Sequence, residues 1–169
     1  MRKIQLFDKI SHGLSITEEL EAKIDREDYE LYIKNYRIRK YISKGAFGSV
    51  YKGFNSNDNR EVAIKLIDID QMYSKNQSEE VREKLRRYLR TEEILLKKCH
   101  SANVIKLYDV MQNDRCKVLV LEYCNGGGLD SYIKDHGPTE ESDAVIILRQ
   151  IILGLAVSGF LFRNCIVIE

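Results

Sequence analysis

The glycine-containing segment 41–53, Y-I-S-K-G-A-F-G-S-V-Y-K-G, limits the possible folds more than any other part of the chain. Its two glycines, Gly45 and Gly48, are flanked by residues that favour strands, which predicts a β-hairpin with the glycines at its tip. Because glycine has no Cβ, such a turn can bend tightly and lie directly against a ligand such as a phosphate group. The same pattern also fits a plain hairpin turn that binds nothing.

Two familiar nucleotide-binding loops are excluded by the residues that follow the glycines. A dinucleotide-binding fingerprint requires a helix that begins at its last glycine, whereas here strand-favouring residues follow. A Walker A loop requires Gly-Lys-Ser/Thr after the glycines, and these residues do not occur there. If this turn binds a ligand, its fold is neither the dinucleotide-binding fold nor that of the Walker A loop.

Composition narrows the class of protein further. The chain of 169 residues is 44% apolar, which is enough for a hydrophobic core. Its 27 Lys and Arg residues nearly balance its 26 Asp and Glu residues, so the charge indicates neither nucleic-acid nor membrane binding. The four cysteines have no C-x-x-C spacing, which favours reduced thiols over zinc, and no metal ligands are predicted. Because the N-terminus has no apolar signal segment, we expect a soluble cytoplasmic protein.

Residues 1–35 are predicted to form a polar, charged extension with one helix. Ser15 and Glu18 have the spacing of a capping box, in which each side chain bonds to the backbone N–H of the other residue. Ile16, Leu20 and Ile24 follow at helical spacing. The narrow apolar stripe predicts a helix on the surface of the domain.

The rest of the chain predicts an α+β fold. After the glycine hairpin, residues 61–67 (E-V-A-I-K-L-I) predict a third strand, and residues 104–111 and 117–123 predict a second hairpin. Residues 79–99 predict a long helix packed against the resulting five-stranded antiparallel sheet. The stretch 124–128 indicates a linker, and it precedes a short helix at 129–134 and an apolar helix at 144–155.

The helix predicted at 79–99 carries a carboxylate on its inward stripe. Its apolar residues recur at helical spacing: Val81, Leu85, Leu89 and Leu96. Glu92 falls on the same stripe, three residues after Leu89 and four before Leu96. Burial of a carboxylate is costly without a cation. Lys65, a lone charge on an otherwise apolar strand, is the predicted partner.

Together these segments resemble the N-terminal part of a eukaryotic protein kinase domain of the Ser/Thr type, most like the groups that include the Unc-51-like and calmodulin-dependent kinases. I-S-K-G-A-F-G-S-V-Y-K-G is similar to the kinase glycine-rich loop, V-A-I-K at 62–65 to the third-strand lysine motif, and the segment around Glu92 to the αC helix. Residues 101–110 and 121–129 are similar to the segment after αC and to the hinge. The resemblance covers residues 36–155 and implies a kinase small lobe at 36–124, followed by the hinge end and the start of the large lobe at 125–169.

The resemblance implies that this chain binds ATP. The implied ATP-binding residues are Ile42, Ser43, Gly45, Gly48, Val50, Ala63, Lys65, Leu121, Glu122 and Cys124. At Gly45 and Gly48, backbone N–H groups would approach the phosphates. The side chains of Ile42, Val50 and Ala63 would enclose the adenine between apolar surfaces.

The resemblance also implies a pair of catalytic residues and a hinge segment that contacts the adenine. Lys65 would contact the α- and β-phosphates and be held by an ion pair with Glu92, so these two are the implied catalytic residues. Leu121 stands at the gatekeeper position. Glu122 and Cys124 would offer backbone groups to the edge of the adenine.

Three features depart from the family pattern. Gly128 stands at a position that is often acidic, which removes a possible ribose or substrate contact. Ser43 stands where the first loop glycine is expected, and its Cβ restricts the bend of the loop, which weakens the predicted grip on nucleotide without abolishing it. The sequence contains neither H-R-D-x-x-x-x-N nor D-F-G, the motifs that supply the catalytic Asp and the Mg²⁺ ligands of the family. Mg²⁺ is expected for the family, but its protein ligands are absent from these residues.

Two functions are consistent with this sequence. The first is an ATP-dependent protein Ser/Thr kinase with a protein substrate, represented by a truncated chain that is inactive by itself. The second is a non-catalytic kinase-like module that binds nucleotide or a kinase partner. Under either, the apolar helix at 144–155, which lies inside the large lobe in the family, is expected to stay largely exposed.

Overall fold

The structure, a computed structural model, describes residues 2–6, 24, 26, 29–45, 47–73 and 78–158. The chain divides into two compact units. The sheet unit comprises Met1–Arg82 and Leu107–Tyr123, and the helical unit comprises Glu83–Lys106 and Cys124–Glu169.

Within the described residues, the sheet unit is built on seven strands in the order β1-β2-β3-β4-β5-β7-β6. The strands are β1 (Arg2–Gln5), β2 (Tyr29–Ile33), β3 (Tyr36–Gly45), β4 (Gly48–Asn55), β5 (Glu61–Asp68), β6 (Leu107–Gln112) and β7 (Cys116–Glu122). Neighbouring strands pair antiparallel, except that β1 and β2 pair in parallel. A single helical turn, α1 (Ile69–Met72), follows β5 directly.

The predicted α+β architecture is confirmed, and β3 to β7 are the five strands expected from the sequence. The first strand of the second hairpin begins later than predicted, at Leu107, and Val104 forms only an isolated bridge. Residues 1–35 contribute β1 and β2, whereas only a helix was predicted there. That helix, predicted from Ser15, lies outside the described residues apart from Ile24, which is in a turn.

One face of the sheet carries the core of the sheet unit. Tyr51, Ile64 and Val120 lie opposite one another on β4, β5 and β7, and all three are fully buried. Strand β2 adds Leu31 and Ile33 to the same cluster. Burial of each such side chain contributes about 1.5–3 kcal/mol to folding. The described part of the N-terminal segment therefore belongs to the core rather than to a surface extension.

Contacts between β3 and β6, which are not neighbours in the strand order, show that the sheet curls. The hydroxyl of Tyr36 donates a hydrogen bond to Asp109 Oδ2 at 3.4 Å. Burial, reinforced by the charge of Asp109, raises the pKa of Tyr36, so the phenol keeps the proton that it donates. The guanidinium of Arg60 also lies 5.1 Å from the ring centroid of Tyr108.

The helical unit contains most of α2 (Glu79–Lys98), together with α3 (Leu129–His136) and α4 (Glu141–Ser158). At the start of α2, Ser78 Oγ accepts the backbone N–H of Val81 at 3.4 Å. On the polar face of α2, Lys97 pairs with Glu93 at 2.6 Å. Helix α3 ends at Gly137, whose φ of 83° lies in the left-handed region that glycine adopts readily.

Helix α4 exposes much of its apolar surface, as predicted. Six large apolar side chains are each about half exposed: Val145, Ile146, Leu148, Ile152, Leu153 and Val157. The thiol of Cys99 lies 3.7 Å from the backbone carbonyl of Val157, within the same unit. In the part of the chain that the structure describes, no helix is both long enough and apolar enough to cross a bilayer.

Candidate functional site

A row of cross-strand pairs places the predicted catalytic lysine between apolar side chains. Ser43 on β3 lies opposite Val50 on β4, and Val50 lies opposite Lys65 on β5. Lys65 in turn lies opposite Leu119 on β7. Residues directly opposite in an antiparallel pair share a face, with Cβ atoms about 4.5–5.5 Å apart. Lys65 is therefore flanked by Val50 and Leu119 on its own face of the sheet.

A second row of cross-strand pairs lies two residues away from the first on each strand and belongs to the same face of the sheet. Lys52 on β4 lies opposite Ala63 on β5, and Ala63 lies opposite Leu121 on β7. Since alternate residues of a strand share a face, Ala63 and Leu121 lie on the same side as Lys65 and Val50. This group faces away from the core cluster of the sheet unit.

The two glycines close the hairpin next to these rows but meet different surroundings. Gly45 and Gly48 form the last cross-strand pair of β3 and β4. A Cβ built on Gly48 would lie 1.9 Å from the carbonyl oxygen of Leu66 on β5, whereas a Cβ on Gly45 would lie 3.6 Å from its nearest neighbour. The sequence assigns both glycines to a close approach of backbone and phosphate. Packing against β5 is a separate requirement for glycine at position 48.

Ile42 lies in a β-bulge. The pairing of β3 with β4 shifts between Tyr41, which is opposite Tyr51, and Ser43, which is opposite Val50. Ile42 is thus the extra residue of β3 and does not join either row. Both Ile42 and Ser43 are exposed. The expected contact of Ile42 with an adenine stays a prediction.

The inward stripe of α2 passes through Glu92, as predicted. The buried side chains of α2 are Leu89, Glu92 and Leu96, and Glu92 is 8% exposed. Val81 is exposed and Leu85 is only half-buried, so burial is confined to the second half of the stripe. Lys65 belongs to the sheet unit and Glu92 to the helical unit. Their ion pair stays a prediction.

Exposure increases from the last residues of β7 into the residues that follow the strand. Leu121 is buried, Glu122 is half-buried and Cys124 is exposed. The gatekeeper role of Leu121 and the hinge role of Glu122 and Cys124 stay predictions.

Three side chains form a cluster at the edge of this face, here called the rim cluster: Lys52, Glu61 and Tyr123. The Nζ atom of Lys52 lies 2.6 Å from Glu61 Oε1 and 4.3 Å from the ring centroid of Tyr123. Sequence reasoning missed this cluster. Each residue lies on a different segment, and only the register of β4, β5 and β7 brings the three together.

The thiols of Cys116 and Cys124 should react at very different rates. Burial raises the pKa of Cys116 to about 11, so near pH 7.5 it holds about two orders of magnitude less thiolate than an ordinary cysteine. We expect iodoacetamide to alkylate exposed Cys124 in the folded protein and Cys116 only after denaturation, as measured by peptide mass spectrometry. The half-buried Cys99 is an internal reference with intermediate access. Equal native rates for Cys116 and Cys124 would contradict the assigned burial.

No metal site accompanies the two rows within the described residues. In those ranges, no group of three or more His, Cys, Asp or Glu side chains is placed to hold a metal ion. The two rows present Lys65 among apolar side chains beside the glycine turn, with Ser43 and Lys52 at their ends. This set suits an anionic ligand that also carries an apolar ring.

Several Ser/Thr kinases are similar to this chain. It is 32% identical over 126 residues to the serine/threonine-protein kinase atg1 of Dictyostelium discoideum, covering 73% of this chain and 18% of the relative. It is 32% identical over 125 residues to the kinase ATG1c of Arabidopsis thaliana, covering 74% and 16%. The calcium-dependent protein kinase 5 of Plasmodium berghei is 36% identical over 124 residues, covering 73% and 20%. The chain thus spans a fifth or less of the length of these curated relatives.

A family model gives the same result over most of the chain. The model of the protein kinase domain matches residues 36–167, which include the glycine turn, both rows of site residues, α2 and the segment after β7. The match begins at the first residue of β3, so β1 and β2 precede it. On its sequence and on the fold of its sheet, the chain belongs to the protein kinase domain family.

Proposed function

We propose that the sheet unit binds ATP as the small lobe of a Ser/Thr protein kinase domain. The observation that carries the proposal is the common face of Val50, Ala63, Lys65 and Leu121 beside the glycine turn. A lysine ammonium on an apolar surface favours a phosphate group more strongly than the same charge would in open water. The adjoining apolar side chains favour a flat heteroaromatic ring.

Each part of the site has a distinct task in this proposal. Backbone N–H groups at Gly45 and Gly48 bind phosphate oxygens, and Lys65 neutralises their charge. Glu92 orients Lys65 through an ion pair, which also compensates its own burial. Glu122 and Cys124 give the adenine edge its hydrogen bonds. When bound, Mg²⁺ would reduce the charge of the phosphates.

The decisive experiment compares a phosphate-bearing ligand with one that lacks phosphates. We expect wild-type protein to bind Mg-ATP in calorimetry, and Lys65→Met to weaken that binding about tenfold or more, since a charge-assisted hydrogen bond contributes about 1.5–3 kcal/mol. Binding of adenosine, which has no phosphates, should be unchanged by Lys65→Met.

Lys44→Met is the matched control for this experiment. Lys44 is exposed, lies beside the glycine turn and pairs with Ser49, so it occupies the opposite face of β3 and β4 from Lys65. Its substitution removes the same charge and should leave Mg-ATP binding nearly unchanged. Absence of binding by wild-type protein at millimolar Mg-ATP, or equal losses in both variants, would overturn the proposal.

For the whole protein, we propose phosphoryl transfer to Ser or Thr of a protein substrate in the cytoplasm. The similar proteins of Dictyostelium discoideum and Arabidopsis thaliana are serine/threonine-protein kinases, which supports this class. The second candidate is a kinase-like module that binds nucleotide or a kinase partner without catalysis. Radiolabel transfer from ATP that is lost in Lys65→Met would favour the first. Binding of ATP without transfer by the whole protein would favour the second.

A further inference from the structure

The rim cluster includes Tyr123, the residue that directly precedes the exposed Cys124. Tyr123 follows β7 directly and is the last residue of the sheet unit. The ammonium of Lys52 lies 4.3 Å from its ring centroid, well inside the range of a cation–π contact. Lys52 reaches it from β4, the strand that begins at the glycine turn.

The lysine is itself fixed by its other neighbours. Its Nζ atom lies 2.6 Å from Glu61 Oε1 and 6.0 Å from the ring centroid of Phe54. Phe54 and Glu61 are cross-strand partners on β4 and β5. The hydrogen bond to Glu61 raises the pKa of Lys52, which keeps the ammonium charged. With its side chain only 26% exposed, Lys52 is held by the carboxylate of Glu61 and by the ring of Tyr123.

We propose that Lys52 is a positioning residue for the nucleotide site: through its contact with Tyr123 it ties the segment 121–124 to the glycine-turn strand and preorganises that segment for the adenine. This inference rests on the proposed ATP binding. Its role is separate from that of Lys65, because the charge of Lys52 is already neutralised by Glu61. Preorganised backbone binds a ligand without the entropy loss of ordering a mobile segment.

The test combines nucleotide binding with hydrogen exchange in the full chain. We expect Lys52→Met to weaken Mg-ATP binding by about threefold to tenfold, the range for loss of one partly exposed cation–π contact. In the absence of nucleotide it should also speed amide exchange in peptides that cover residues 121–126, because the segment opens more often. Lys52→Arg, which keeps a cation over the ring, should restore both properties.

Two further variants separate positioning from simple charge. Lys40 is exposed and lies opposite Lys52 on β3, so Lys40→Met removes the same charge from the adjacent strand. We expect it to change neither binding nor exchange. Tyr123→Leu removes the ring, and in that background Lys52→Met should have no further effect on either measurement.

The outcomes distinguish this inference from the proposed function. An equal loss of binding from Lys52→Met in the wild-type and Tyr123→Leu backgrounds would show that Lys52 acts on the ligand directly, and would overturn the inference. Unchanged exchange at 121–126 in Lys52→Met would overturn it as well. If wild-type protein bound no Mg-ATP, the proposed function would fail and with it the nucleotide role of Lys52. The exchange measurements would then still decide whether Lys52 holds Tyr123.

Discussion

Replacing Gly48 with alanine is expected to destabilise the protein by roughly 2–4 kcal/mol, a cost in the upper range for overpacked sites. The added Cβ would lie 1.9 Å from the carbonyl oxygen of Leu66 and 2.8 Å from its carbonyl carbon. Both are main-chain atoms of a central strand, so no side-chain rotation relieves the contact, and β4 and β5 must separate locally. Urea denaturation followed by circular dichroism measures the loss.

Gly45→Ala is the matched control for this prediction. The two glycines are cross-strand partners in the same turn, and neither has a positive φ. At Gly45 the new Cβ would have only an ordinary contact, 3.6 Å from the carbonyl oxygen of Gly48. We expect its free energy of unfolding to stay within about 0.5 kcal/mol of wild type. Equal effects of the two substitutions would contradict the close packing of Gly48 against β5.

Truncation of Ile33 should also have a large effect, because the N-terminal strands belong to the core. Ile33 on β2 is 0% exposed and lies in the main apolar cluster of the sheet unit. Ile33→Ala is expected to lower the free energy of unfolding by about 2–5 kcal/mol, since it removes buried methyl groups and leaves a cavity. Thermal and urea denaturation provide the measurement.

Tyr32→Ala is the control for Ile33→Ala. It is a strict control, because it removes more side-chain atoms than Ile33→Ala and yet is expected to destabilise the protein less. Tyr32 is half-buried, its hydroxyl donates to Glu30 at 3.3 Å, and the ammonium of Lys3 lies 5.6 Å from its ring. Contacts of this partly exposed kind contribute about 1 kcal/mol. Tyr32→Ala should therefore cost less than Ile33→Ala. The reverse order would show that β2 is not packed into the core.

The hairpins and α2 could be predicted because their signals are local. Strand-favouring residues around the two glycines mark β4, and the apolar run V-A-I-K-L-I marks β5. The spacing of Leu89, Glu92 and Leu96 identifies the buried stripe of α2. Strand β2 carries a similar alternation, with Leu31 and Ile33 buried, and could have been found. Strand β1 could not, because its four residues include a single buried apolar side chain, Ile4, and it is defined by parallel pairing with distant β2.

The sequence proposes the members of the candidate site but not their geometry. The order of motifs along the chain singles out Lys65 and the glycines as candidates. The bulge at Ile42 and the close packing of Gly48 against β5 depend on which strand lies alongside. Periodicity indicates which face of α2 points inward, but not how much of the helix length is covered by other residues. The sequence therefore did not show that Val81, on the inward stripe, would be exposed. The contact between Lys52 and Tyr123 likewise follows from register alone.

The strand order also has a consequence for how the sheet unit folds. From β2 to β5 each strand pairs with its successor in the chain, so these pairings close short loops and can form early. The pairing of β5 with β7 joins segments separated by α1, α2 and β6, and loop closure over that distance carries a larger entropic cost. We infer that the step which brings Lys65 opposite Leu119 comes late in folding. The face of the sheet that carries Lys65 would then be assembled only after the glycine hairpin already exists.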